Sequence, residues 1–326
     1  MKKILAMFMV CLMIIGCVGC GNEGNNGDNE GETKAATGKK VGILVVTSGS
    51  QWCNSIIQEV TKVVEENGGE VIVSDSQVSV DNELSGMENL ISSGCDAIVV
   101  NAMNPAGLSD LCKQAQEKGI YIIGWSDLLE NYDVIVQEDP AQEAEMIAGA
   151  ISDFVGDEDA VEMAVIWLSD AQNPDTTTGI FKEALEAEFK TSLVEGKGMK
   201  LVNEQYAPDS TKAMEVAEAI ITANPDVKVI FCQNDEMGVA VSQILQGKGY
   251  GPGDIMVCGL DGTEEALNMI AGGSSCLSNT VFSDTKAVGR KVGESICQYF
   301  EDGSKTEVAA EYVLVGTDNA ADYVTQ

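Results

Sequence analysis

Residues 41–66, VGILVVTSGSQWCNSIIQEVTKVVEE, set the pattern that the rest of the chain repeats. The run Val41-Gly42-Ile43-Leu44-Val45-Val46 contains no polar side chain, as suits a strand covered on both faces of a sheet. A polar loop at 47–53 follows, and then a helix-like stretch over about 55–66. Strand-like runs recur at 71–73, 97–100, 121–123, 164–168, 229–231, 255–257 and 277–281. Between them, sets such as Met214, Val216, Ala217, Ile220, Ile221 and Val288, Val292, Ile296, Phe300 keep helical spacing. Strand then helix, repeated, predicts an α/β fold with right-handed crossovers and parallel sheets.

Working back toward the amino terminus, Lys2 and Lys3 precede an unbroken apolar run from Ile4 to Ile15. That run is too short to span a bilayer and reads as an export signal. Cys17 and Cys20 follow it, each after a glycine, and either resembles the cysteine at which bacterial lipoproteins are cleaved and acylated. Cys17 has the better-matched apolar residues upstream. Residues 1–20 are therefore expected to be a lipoprotein signal region. Residues 21–38, rich in Gly, Asn and Glu, are expected to be a flexible tether, because they cannot bury enough surface to offset chain entropy. The expected location is the extracytoplasmic side of the cell membrane, held by lipid.

The rest of the chain, just under about 300 residues, suits two lobes of about 120 to 170 residues each. A net charge of −33, from 19 basic against 52 acidic residues, opposes nucleic acid and anionic lipid surfaces. The ten cysteines are scattered through apolar segments, with Cys232 and Cys258 in strand-like runs and Cys112 and Cys297 in helix-like ones, so they read as buried free thiols. The chain has no histidine, and its one C-x-x-C lies in the signal region, which leaves little to build a zinc site. No Gly-x-Ser-x-Gly elbow, phosphate loop or histidine-based nucleophile system is present, and neither an enzyme nor a cofactor is expected.

In parallel α/β sheets a ligand sits beyond the carboxyl ends of the strands. The loops there are 47–53, 101–105, 124–128, 169–178, 233–236, 260–263 and 282–285. All three tryptophans, Trp52, Trp125 and Trp167, fall in or beside these loops, although aromatics are only 5% of the chain. A flat aromatic can cover the C–H face of a sugar ring while carboxylates and amides bond its rim, so Trp52 and Trp125 are candidate ligand contacts. Trp167 competes with a place in the core. Polar candidates in the same loops are Ser50, Gln51, Asn101, Ser126, Asp127, Asp170, Asn173, Thr177, Asn234, Asp235, Asp261, Ser283 and Asp284. Asp127 and Asp284 serve equally well as caps of the helices that follow. Arg290, the one arginine, lies within a helical pattern away from the loops, so nothing is placed to grip a phosphate or carboxylate. The ligand is expected to be a small neutral sugar or polyol, or else a cation.

Several of these stretches resemble the ribose- and galactose-type periplasmic binding proteins that serve ABC sugar importers. The most specific are Val229-Ile230-Phe231-Cys232-Gln233-Asn234-Asp235-Glu236-Met237 and Cys258-Gly259-Leu260-Asp261-Gly262-Thr263, supported by Asp75-Ser76-Gln77. The resemblance implies two Rossmann-like three-layer lobes joined by a three-segment hinge, the type I periplasmic binding protein fold. It implies sugar contacts at Asn234 and Asp261, an aromatic contact at Trp52, and importer permease subunits as partners. It also implies lobe crossings near Asp139, Ser283 and Leu314, giving lobes of 39–139 with 284–313 and of 140–283 with 314–326. Ser126, Asp127 and Thr177 stand where ribose binders carry Asp-Arg and Arg, so ribose is not expected to be held in the usual manner. Related repressors carry an amino-terminal DNA-binding helix pair where this chain has its signal. A sensor module that reports to a membrane receptor or kinase remains an alternative, because its sequence would look the same.

Overall fold

The computed structural model describes residues 34–125, 129–174 and 176–324. The expected export signal, Cys17, Cys20 and the expected tether up to residue 33 lie outside the described residues, as do Ser126 and Asp127. Among the described residues no helix is long and apolar enough to cross a membrane. Residues 34–38, read as the end of the tether, are instead packed: Ala36 is fully buried against Val63 and Cys297, and its N–H donates to Asn67 O at 3.0 Å.

The first half builds β1 (Lys40–Val45), α1 (Gln51–Glu66), β2 (Glu70–Asp75), α2 (Val80–Ser92), β3 (Ala97–Val100), α3 (Pro105–Glu117), β4 (Tyr121–Gly124) and β5 (Val134–Gln137). The second half builds α4 (Pro140–Val155), β6 (Glu162–Leu168), α5 (Thr177–Glu188), β7 (Lys200–Ala207), α6 (Ser210–Ala223), β8 (Val227–Cys232), α7 (Asp235–Gly247), β9 (Met256–Asp261), α8 (Glu264–Gly272) and β10 (Leu277–Ser283). The chain then forms α9 (Thr285–Asp302), β11 (Val308–Ala309) and β12 (Tyr312–Gly316).

Two six-stranded sheets result, ordered β11-β5-β4-β3-β1-β2 and β12-β10-β9-β8-β6-β7. Every pairing is parallel except β10 with β12, which is antiparallel. Helices cover both faces of each sheet, so each lobe has a core on either side of its strands. The last three elements interleave the lobes. Helix α9 returns to the first lobe and packs on α1, where Gly293 lets the two backbones approach: a Cβ there would stand 2.7 Å from Val63 Cβ. Strand β11 then completes the first sheet and β12 the second. The chain thus passes between the sheets three times, after Gln137, after Ser283 and after Ala309.

The apolar runs all became strands; β5 (Val134-Ile135-Val136) and β12 (Tyr312-Val313-Leu314-Val315) have apolar runs that the sequence reading passed over, whereas β7 and β11 carry no comparable run. Strand β7 lies at a sheet edge with half of its residues exposed and only Ala207 buried, so an unbroken apolar sequence is not needed there. The seven cysteines among the described residues are free and buried, Cys112 and Cys297 in helices and Cys232 and Cys258 in strands.

Candidate functional site

Because the parallel strands of the two sheets point their carboxyl ends at one another, the loops at those ends enclose a cleft. It holds a cavity of about 520 Å³, within the range of small-molecule sites. The first lobe contributes the turn between β1 and α1, with Ser50, Trp52 and Cys53, and the loop after β3, with Asn101 to Met103. The second lobe contributes Asp170, Thr177, Asn234, Glu236 and Asp261, while Glu138 and Ser283 come from the passages between lobes and Glu143 from the start of α4.

The lobes meet directly across this cavity. Thr177 Oγ1 donates to Ala102 O at 2.9 Å, and the Gln51 N–H donates to Glu236 Oε1 at 3.4 Å. Each pair joins one lobe to the other, so the conformation is a closed one.

Local structure explains which side chains are left for a ligand. Helix α7 begins at Asn234, whose Oδ1 accepts from Met237 N at 2.9 Å, leaving the amide NH₂ to face the cavity. Asp284 is committed likewise to α9, accepting from Ala287 N at 2.9 Å, and it does not line the cavity. Ser50 precedes α1 without making a cap bond. Asp261 ends β9 at φ +103, a conformation side chains rarely adopt, and no donor among the described residues bonds its carboxylate. Burial pushes its carboxyl well above the usual range, reinforced by the charges of Asp235, Glu143, Glu236 and Glu138.

Glu143 is only 6% exposed, and burial followed by the Glu138 charge raises its carboxyl well above normal, while the Tyr312 hydroxyl donates to it. That hydroxyl in turn accepts the Asp139 N–H at 3.2 Å, tying two interlobe passages together. Glu83 is fully buried, and its carboxylate accepts from Met103 N at 2.6 Å and Asn104 N at 3.1 Å, holding the loop that presents Asn101. On the opposite lobe, Gln233 accepts from Leu168 N at 2.8 Å and donates to Thr178 O at 3.0 Å. Burial pushes the Cys53 thiol up to about 11, so it stays neutral.

Of the sequence candidates, Ser50, Trp52, Asn101, Asp170, Thr177, Asn234, Asp261 and Ser283 surround the cavity. Trp52 stands on the first turn of α1, not in a loop, because that helix starts at Gln51. Trp125 does not reach the cavity: it is 1% exposed, its indole N–H donates to Glu138 Oε1 at 3.0 Å, and it backs Trp52 edge-on with centroids 5.5 Å apart. Trp167 is 0% exposed, packed with Phe189 and Phe231 in the second lobe. Sequence reasoning missed Glu138, Glu143 and Glu236. The expected crossing near Asp139 was the signal for the first two, since residues flanking an interlobe passage face the cleft. Arg290 pairs with Glu59 of α1 at 3.4 Å, away from this cavity.

A family model described as a periplasmic binding protein domain matches residues 41–305. The ribose import binding protein of Bacillus subtilis strain 168 is 25% identical over 272 residues, covering 82% of this chain and 82% of its own. The D-allose-binding periplasmic protein of Escherichia coli strain K12 is 27% identical over 232 residues, covering 68% of this chain and 70% of its own. Among solved structures, a galactofuranose binding protein aligns with a TM-score of 0.77 at 18% identity, over 88% of this chain and 97% of that one. The Caulobacter myo-inositol binding protein, bound to myo-inositol, gives 0.76 at 19% identity over 87% and 95%. These two share the fold.

Proposed function

The chain belongs to the periplasmic binding protein family, a family of solute-binding proteins that are not enzymes, and from that premise we propose that it captures a small sugar or polyol for an ABC importer. The ligand is uncharged or positively charged, not anionic, because among the described residues no lysine or arginine lines the cavity. The observation that carries the reading is the opposition, across one cavity, of Trp52 and Ser50 on the first lobe to Asn234 and Asp261 on the second. An aromatic face with carboxylate and amide groups around it is the complement of a sugar ring. The relatives named above, a ribose import binding protein and a D-allose-binding periplasmic protein, favour import cargo over a receptor-reporting role.

Ligand-dependent closure follows from the same arrangement. The passages after Gln137, Ser283 and Ala309 act as the hinge, and a ligand held by both lobes favours the closed form. Cys17 or Cys20 carries a lipid that holds the protein on the extracytoplasmic face of the membrane. That reading is supported by the apolar run Ile4 to Ile15 ahead of the two cysteines. Membrane fractionation of Cys17→Ala and Cys20→Ala identifies the acylated residue.

The function is tested by a thermal-shift screen of neutral sugars, polyols and amino sugars, since a ligand of the native state raises apparent stability by mass action. Stabilisation by sugars or polyols is expected. Stabilisation by sugar phosphates or sugar acids alone would refute the reading.

A further inference from the structure

The charge lining the cavity is unbalanced beyond what hydroxyl recognition requires. Among the described residues six carboxylates reach it from separate places in the fold: Glu138 after β5, Glu143 in α4, Asp170 after β6, Asp209 before α6, Glu236 in α7 and Asp261 at the end of β9. No basic side chain among the described residues opposes them there. Burial, reinforced by neighbouring charges, disfavours ionisation of two of the six, Glu143 and Asp261, whose carboxyls are raised well above the usual range. Hydroxyl donors relieve such a cluster only through hydrogen bonds, whereas a cation also cancels charge in a site partly shielded from water.

The form of the cavity says which kind of cation. Among the described residues no three acidic, cysteine or histidine side chains gather closely enough to hold a metal ion. The carboxylates are spread around a space of about 520 Å³, which calls for an organic ligand several atoms across. The Trp52 ring lines the same space, and an aromatic face attracts an ammonium group. Asn101, Thr177 and Asn234 add uncharged groups suited to hydroxyls.

We propose that the preferred cargo is a polyhydroxylated amine, a sugar or polyol bearing one protonated amino group that faces Glu138, Glu143 and Asp261. This rests on the reading of the cavity as a sugar site, and the test separates the two. Calorimetry on the full chain at pH 7 compares matched pairs: glucosamine with glucose, galactosamine with galactose, and 1-amino-1-deoxysorbitol with sorbitol, with N-acetylglucosamine as the charge-free control. At least one amine is expected to bind about 10-fold or more tightly than its neutral partner. Glu143→Gln should narrow that gap. Should this variant not fold, the wild-type protein supplies a second readout: affinity for the amine falls as pH is lowered and the carboxylates take up protons, while affinity for a neutral sugar does not. If neutral partners bind as tightly as the amines, the proposal is overturned and the sugar site stands. If nothing in either set binds, the sugar reading falls and the proposal with it.

Discussion

Replacing Asp261 with asparagine should make the empty protein more stable and its ligand complex weaker. Burial, reinforced by the charges of Asp235, Glu143, Glu236 and Glu138, holds its carboxyl well above the ordinary range, so ionisation at neutral pH costs folding free energy. Asparagine keeps the shape, tolerates the φ of +103 at this position as aspartate does, and carries no charge. Apparent stability without ligand should therefore rise. Ligand affinity should move the other way. A hydrogen bond to a charged group is worth roughly 1.5–3 kcal/mol and a neutral one about 0.5–1.5, so the exchange loses about 1–1.5 kcal/mol, or about 5- to 13-fold in Kd. Urea unfolding of the ligand-free protein gives the first quantity. Calorimetry with the strongest hit of the sugar and polyol screen gives the second. Unchanged affinity would refute Asp261 as a ligand contact, and a loss of stability would refute the account of its buried charge.

Three further outcomes are expected. Burial pushes the carboxyl of Asp235 up to about 7, against about 3.9 for an unfolded aspartate, so between those values the folded state holds a proton that the unfolded state has lost. Stability should thus rise as pH falls from about 7 toward 4, by up to about 4 kcal/mol from this group, and Asp235→Asn should flatten the slope in urea titrations across that window. Thr177→Val removes the donor to Ala102 O and should weaken closure by about 1 kcal/mol, roughly 5-fold, seen as a larger radius of gyration in X-ray scattering at subsaturating ligand. Gly262 has φ +71 and a Cβ there would lie 2.7 Å from Phe282 Cα, so Gly262→Ala should destabilise the fold by more than about 2 kcal/mol in urea unfolding.

The division of information between sequence and fold is visible at particular residues. Alternating apolar runs and helical spacing determined an α/β chain of parallel sheets, because strands covered on both faces need unbroken Val and Ile and helices need one apolar face. They also determined where to look, and Asn234 and Asp261 stand at strand ends on the cavity wall as that rule requires. Tertiary structure decided the rest. Trp52, Trp125 and Trp167 look alike in sequence, each near a strand end, yet one faces the cavity, one backs it and one fills a core. Glu138 and Glu143 sit beside the first passage between lobes, so they face a ligand space only once the second sheet is folded against the first. Local pattern reports whether a side chain prefers burial. Which neighbours bury it, and whether a cavity is left beside it, depends on chain segments far apart in sequence.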